Sequence, residues 1–207
     1  MRPAVIPVTT NAASGRTTNR MIPSALMHAI FSVSGTEFKE NGAGKYAIFS
    51  GMDEKRELMR HVLATVAYRA ARALDGAPEG FANFDGAGRR PEQILAHMGD
   101  LFDWALSVAE GDQRWAPVPP RGWAEEKQRF FTSLTALDAY LASDQPLNAP
   151  LERLLQGPVT DALTHVGQLA MMRRLAGSPT CGENFYVAEI AVGQVGAEQP
   201  AAVQPFK

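Results

Sequence analysis

The sequence predicts an all-α fold, an antiparallel bundle of four helices. Four stretches carry apolar residues at helical spacing, Gly- and Pro-rich segments separate them, and no convincing strand lies between them. The chain has 207 residues, 45% hydrophobic and 20% charged, which suits one well-buried globular core and argues against disorder.

The first helix is expected over about 53–75. Asp53 is a good N-cap, and Glu54 and Glu57 sit in the first turn, where the helix dipole favours negative charge. Leu58, Val62, Thr65, Val66 and Arg69 follow helical spacing until Gly76-Ala77-Pro78 stops the run. After a glycine-rich loop, Pro91 opens the second helix at a position that needs no N–H donor. Its stripe is Ile94, Leu95, Met98, Leu101, Phe102, Ala105 and Val108, ending before Gly111. Pro117, Pro119 and Pro120 break the chain again. The third helix follows from about Trp123 to Leu141, with Phe130, Phe131, Leu134, Leu137 and Leu141 inward. The fourth begins at Gly157-Pro158, after one expected turn over 151–156, and stops at Gly177-Ser178-Pro179. The apolar stretch 184–196 is expected to pack on the bundle as a C-terminal arm, and 197–207 to fray.

Residues 1–51 show no sustained period and read as an irregular extension to a bundle spanning 52–196. Arg2, Arg16 and Arg20, with many Ser and Thr and no acid before Glu37, have the composition of a transit peptide. The alternatives are a plain extension, or a working protein that begins near Met52.

Several function classes are set aside. A net charge of −2 and the lack of a basic motif argue against nucleic acid. No uninterrupted apolar run approaches the roughly 18 residues of a membrane helix. One cysteine, Cys181, permits no internal disulfide and fits a cytoplasmic protein. No Glu-x-x-His pair of a di-iron bundle occurs, and Cys181 has no evident nucleophilic partner.

Of four histidines, His28 lies in the irregular extension, and His61 reads as a satisfied or exposed histidine of the first helix. His165 differs, because Asp161 precedes it by four residues and Gln168 follows one turn on, all on one helical face. A carboxylate and an imidazole so placed can hold a metal ion if a neighbouring helix supplies a third donor, and His97 is the strong candidate. Asp100, one turn beyond it, could orient a ligand. Three protein donors leave open positions, as at a catalytic metal, and two histidines with a carboxylate suit Zn, Ni or Fe(II). The bland alternative is an intrahelical Asp161–His165 pair worth a few tenths of a kcal/mol.

The run Ile94-Leu95-Ala96-His97-Met98, followed by Trp104, resembles the second-helix signature of the DinB-like superfamily. Thr164-His165-Val166-Gly167-Gln168-Leu169 resembles its later His-x-Gly-Gln-Leu motif. The resemblance implies a four-helix bundle, often dimeric, with a divalent metal on one histidine of the second helix and two residues of the later motif. Asp161 stands where the commonest pattern has a third histidine, as in the mycothiol-dependent maleylpyruvate isomerases of the superfamily. Val166 replaces a common arginine. One implied function is a metal-dependent transferase, isomerase or hydrolase acting on a small molecule, with a low-molecular-weight thiol as co-substrate. Gln168, Glu183 and Asn184 would then line the pocket, Glu183 as a proton acceptor. The other is a non-catalytic homodimeric bundle that binds a small molecule or accompanies stress.

Overall fold

The computed structural model describes residues 51–206 apart from Ala87. The N-terminal extension and its targeting composition therefore lie outside the described residues. Four long helical segments enclose one apolar core. They are α1 (Gly51–Leu74), α2 (Pro91–Glu110), α3 (Trp123–Ala142), and a last segment built of α4 (Leu151–Leu154), a π-helical turn (Leu155–Val159) and α5 (Thr160–Leu175). None of the described helices is long and apolar enough to cross a membrane.

The helices do not simply alternate in direction. Arg56, at the start of α1, donates to the carbonyls of Leu141 and Ser143 at the end of α3, so these two run oppositely. Arg129, early in α3, reaches Ala96, early in α2, while Tyr140 and Ala109 meet at the far ends, so α2 and α3 run the same way. Arg173 of α5 binds the carbonyls of Ala73 and Asp75, and Lys55 meets Glu152, so α1 and the last segment are parallel. A parallel α2–α3 pair needs a connection that returns the length of α2. Residues 111–122 do this as an extended strap, which Pro117, Pro119 and Pro120 keep out of helix. Gly111, at φ 90°, provides the left-handed residue that turns the chain out of α2.

Boundaries of the first three helices fall within two residues of the sequence expectation. The inward face of α1 does not. Leu58 is 65% exposed, and the buried positions are Met59, Leu63, Val66, Ala67, Ala70 and Leu74. Alanines carry much of this face, so the backbone approaches its neighbours closely, and a stripe drawn through the large residues misses the phase. The fourth segment differs as well, because the helix starts at Leu151 and passes through Gly157-Pro158. Pro158 has no N–H, and its ring would crowd the carbonyl four residues back in a regular helix. The widened turn relieves this. The Thr160 N–H bonds to Leu155 O, five residues back, and the Thr160 hydroxyl meets the same carbonyl.

The chain end, expected to fray, is tied down. Gly182–Glu183 (β1) pairs antiparallel with Pro205–Phe206 (β2), and Arg72 donates to Pro200 O. Val195 is buried in the core cluster, as expected of an arm packed on the bundle.

Arg129 is the main polar tie between α2 and α3. It donates to Asp100 Oδ1 at 2.8 Å, Asp103 Oδ2 at 3.2 Å, Glu126 Oε2 at 2.8 Å and the Ala96 carbonyl at 2.6 Å. The guanidinium lies over Gly99, where an added Cβ would stand 2.9 Å from Arg129 Cζ. Alanine in a helix normally gains about 1 kcal/mol over glycine. Here it would dislodge bonds to two buried carboxylates, which is the larger effect. Gly99→Ala is therefore expected to destabilise the bundle by about 1–2 kcal/mol, read as a lower midpoint in urea unfolding. A stabilised variant would show that the guanidinium moves aside freely.

Candidate metal centre

The returning strap and the widened turn both act on one place, the seam between α2 and α5. His97 lies in the second turn of α2, between buried Ala96 and Met98. Asp161 and His165 lie one turn apart on α5. The π-helical turn inserts one residue before them, rotating everything that follows by about 100° relative to a regular helix. In that phase the two side chains face His97.

The three residues bring one donor atom each to within 4.8 Å of one another. Asp161 stands between the imidazoles, with Oδ2 at 3.6 Å from His97 Nε2 and Oδ1 at 3.5 Å from His165 Nε2. Such lengths are too great for good hydrogen bonds. Two ligands each about 2.1 Å from a tetrahedral metal stand about 3.4 Å apart, so each imidazole lies near that spacing from one Asp161 oxygen, a different oxygen for each ring. The imidazole rings meet edge to face, with centroids 5.0 Å apart, so neither blocks the space between them.

Neighbouring groups set the state of these donors. His165 Nδ1 lies 2.8 Å from Gln168 Oε1, so the tautomer with the proton on Nδ1 donates to Gln168 and turns the Nε2 lone pair toward Asp161. Burial, then the charges of His165 and Arg89, hold His97 below its ordinary pKa against the opposing pull of Asp161. This shift favours the neutral imidazole, the form that binds metal. Trp115 of the strap packs edge-on against His97 at 5.9 Å, and against Trp104 at the same distance. Beside His165 opens a cleft of about 650 Å3 lined by Arg89, Ile94, Thr164, Gln168, Met171 and Leu175. Asp161 is 49% exposed, so the centre is reached from solvent.

Of the residues singled out in the sequence, His97, Asp161, His165 and Gln168 come together. The other three do not join them. Asp100 is held by Arg129 and accepts from Val118 N of the strap, so it orients the strap instead of a metal ligand. Glu183 is buried on the α1 side, bonded to the Tyr68 hydroxyl at 2.5 Å and 3.4 Å from Arg72 Nε. Asn184 pairs with Gln204 and caps the short turn Phe185–Val187. His61 is exposed, as expected for an incidental histidine. Trp115 and Arg89 were not anticipated. Both come from connections between helices, where no periodicity reports which way a side chain points.

No family model matches the chain, nor does any curated protein or solved structure. His97, Asp161 and His165 form a possible three-donor metal site in a helical bundle.

Gln168 supplies a test. Gln168→Leu keeps the volume but removes the acceptor that orients His165, and such partners typically contribute about 10- to 100-fold to metal affinity. A loss in that range, measured by chelator competition with helix content unchanged, is expected. Unaltered affinity would show that His165 is oriented without it.

Proposed function

We propose that the chain is a metal-dependent enzyme of the DinB-like kind, binding one divalent ion through His97, Asp161 and His165 to act on a small molecule. The observation that carries this reading is the spacing of the Asp161 oxygens from the two imidazoles, 3.6 and 3.5 Å, too long for mutual hydrogen bonds and suited to a shared ion. Zinc, nickel and iron(II) all suit two histidines and a carboxylate. The bound ion would lower the pKa of a coordinated thiol or water, providing a nucleophile near neutral pH.

The chain's own residues then have separable tasks. His165, locked by Gln168, and His97, walled by Trp115, hold their donors fixed. The half-exposed Asp161 has two oxygens, and the one not engaged by metal is the nearest carboxylate able to accept the nucleophile's proton. This gives Asp161 the proton-accepting task that the sequence reading gave to Glu183. The cleft beside His165 offers apolar Met171 and Leu175 to a substrate body and Arg89 to any anionic group. Low-molecular-weight thiols are the proposed co-substrates, and transfer, isomerisation or hydrolysis the proposed reaction types.

A second reading, a non-catalytic homodimeric bundle, draws on Met171 and Leu175, which remain 53% and 58% exposed on α5. Elemental mass spectrometry on protein purified without chelator separates the two. Near-stoichiometric metal in the parent, absent from His97→Ala and His165→Ala proteins of unchanged helicity, is the outcome expected of the enzyme. A parent that takes up no zinc, nickel or iron(II) would favour the dimeric bundle.

A further inference from the structure

α5 carries a second polar site on its other flank. Between α1, α5 and the C-terminal arm lies a cavity of about 230 Å3, with Leu163, Val166 and Ala170 on one wall and Arg69, Arg72 and Phe185 on the other. It shares only Gly167 with the cleft beside the metal donors.

The two arginines are held differently. Arg72 is matched by a buried carboxylate. Its Nη2 donates to the Tyr68 hydroxyl, which donates in turn to Glu183 Oε1, and its Nε stands 3.4 Å from Glu183 Oε2. Arg69 has no carboxylate partner and no hydrogen bond among the described residues. Its guanidinium lies over the Phe185 ring, 4.2 Å from the centroid. Stacking uses only the face of the guanidinium and leaves its planar fork of N–H donors free. The platform is itself fixed, because Tyr68 meets Phe185 edge-on at 6.4 Å and Asn184 caps the turn that carries it. Arg72 Nε and Glu183 Oε2, both buried and without a hydrogen bond, face only each other at 3.4 Å, so Arg72 stays engaged with its own carboxylate.

Charge and shape then narrow the ligand. Arg72 and Glu183 cancel, leaving the single positive charge of Arg69 in a largely apolar cavity, which suits a monoanion. An apolar cavity of about 150 Å3 admits benzene, so 230 Å3 has room for a ring or short branched chain carrying a carboxylate. We propose that this cavity binds a small apolar-bodied monocarboxylate, about the size of benzoate, whose carboxylate takes the free N–H fork of Arg69 while its body rests on Leu163, Val166 and Ala170. The site is separate from the metal centre and does not depend on it.

The test is methyl NMR of the full chain titrated with benzoate and with neutral benzamide, in zinc-loaded and metal-free protein. Benzoate should shift the Leu163 and Val166 methyls and bind at least about ten-fold more tightly than benzamide, with or without zinc. Arg69→Gln should abolish that preference while leaving benzamide affinity and thermal midpoint unchanged. Arg69→Lys, which keeps the charge but loses the fork, should retain part of the preference. Equal binding of the two probes, or a preference that survives Arg69→Gln, would overturn the proposal. So would shifts confined to the Met171 and Met172 methyls of the metal-side cleft. Failure to bind zinc, with benzoate selectivity intact, would count against the metal enzyme and leave this site standing.

Discussion

Arg129 sits where three parts of the chain must agree. Glu126 is fully buried and Asp100 nearly so, and neither carboxylate can remain in the interior without a cation and hydrogen bonds. Burial works against the charge on Arg129, but the bonds to Glu126 and Asp100 outweigh it and raise its pKa above the ordinary value. The same guanidinium takes the Ala96 carbonyl, one residue before His97. Asp100 and Glu126 spend their remaining capacity on the strap, accepting from Val118 N and Arg121 N. One buried cation thus fixes the register of α2 on α3 and lays the strap along both. Truncating it would strand two carboxylates, which is why the network has one workable arrangement.

The consequences reach the candidate metal donors through the backbone. Because α2 and α3 are parallel, the connecting strap must travel back past Ser107 and Asp100, and its middle arrives beside His97 as Trp115. A two-residue turn between antiparallel helices would have left that flank open. On the opposite helix the widened turn at Pro158 does comparable work. Without its extra residue, Asp161 and His165 would be rotated away from the α2 seam. Proline inside a helix usually reads as a fault, yet here it sets the phase of two candidate metal donors. π-helical turns often occur at functional sites for this reason.

Much of this was legible before any coordinates. Helix existence and three sets of boundaries follow from periodicity and from Gly76, Pro91 and Gly111, which act locally. His97, Asp161 and His165 could be paired because the i, i+4 relation places two of them on one face and only one strong partner remained. What could not be read depends on contacts distant in sequence. The inward face of α1 is written in alanines, whose burial depends on how near the neighbouring helix comes. Asp100 lies one turn from His97, but its partner Arg129 is 29 residues away. Glu183 follows α5 closely, yet the arm carries it to Tyr68, 115 residues distant. Pro158 satisfied every rule for a helix start, and only the bonds of Thr160 to Leu155 show the helix running through it.

The two flanks of α5 also differ in charge. On the α2 side the donors are two imidazoles, one with its pKa lowered by its surroundings, and one carboxylate, a set that could attract a cation. On the α1 side the cations are in excess, with Arg69 unmatched among the described residues. Their shared boundary is Gly167, whose missing side chain leaves nothing within 4 Å of an ideal Cβ and keeps the ridge between them low. A divalent ion on the donor side would reverse the sign there, since one carboxylate neutralises only half its charge. Both flanks would then favour anions, a thiolate or carboxylate at the metal and a monocarboxylate at Arg69. An acidic substitution on the Gly167 ridge would oppose both at once, whereas loss of Arg69 would affect only one.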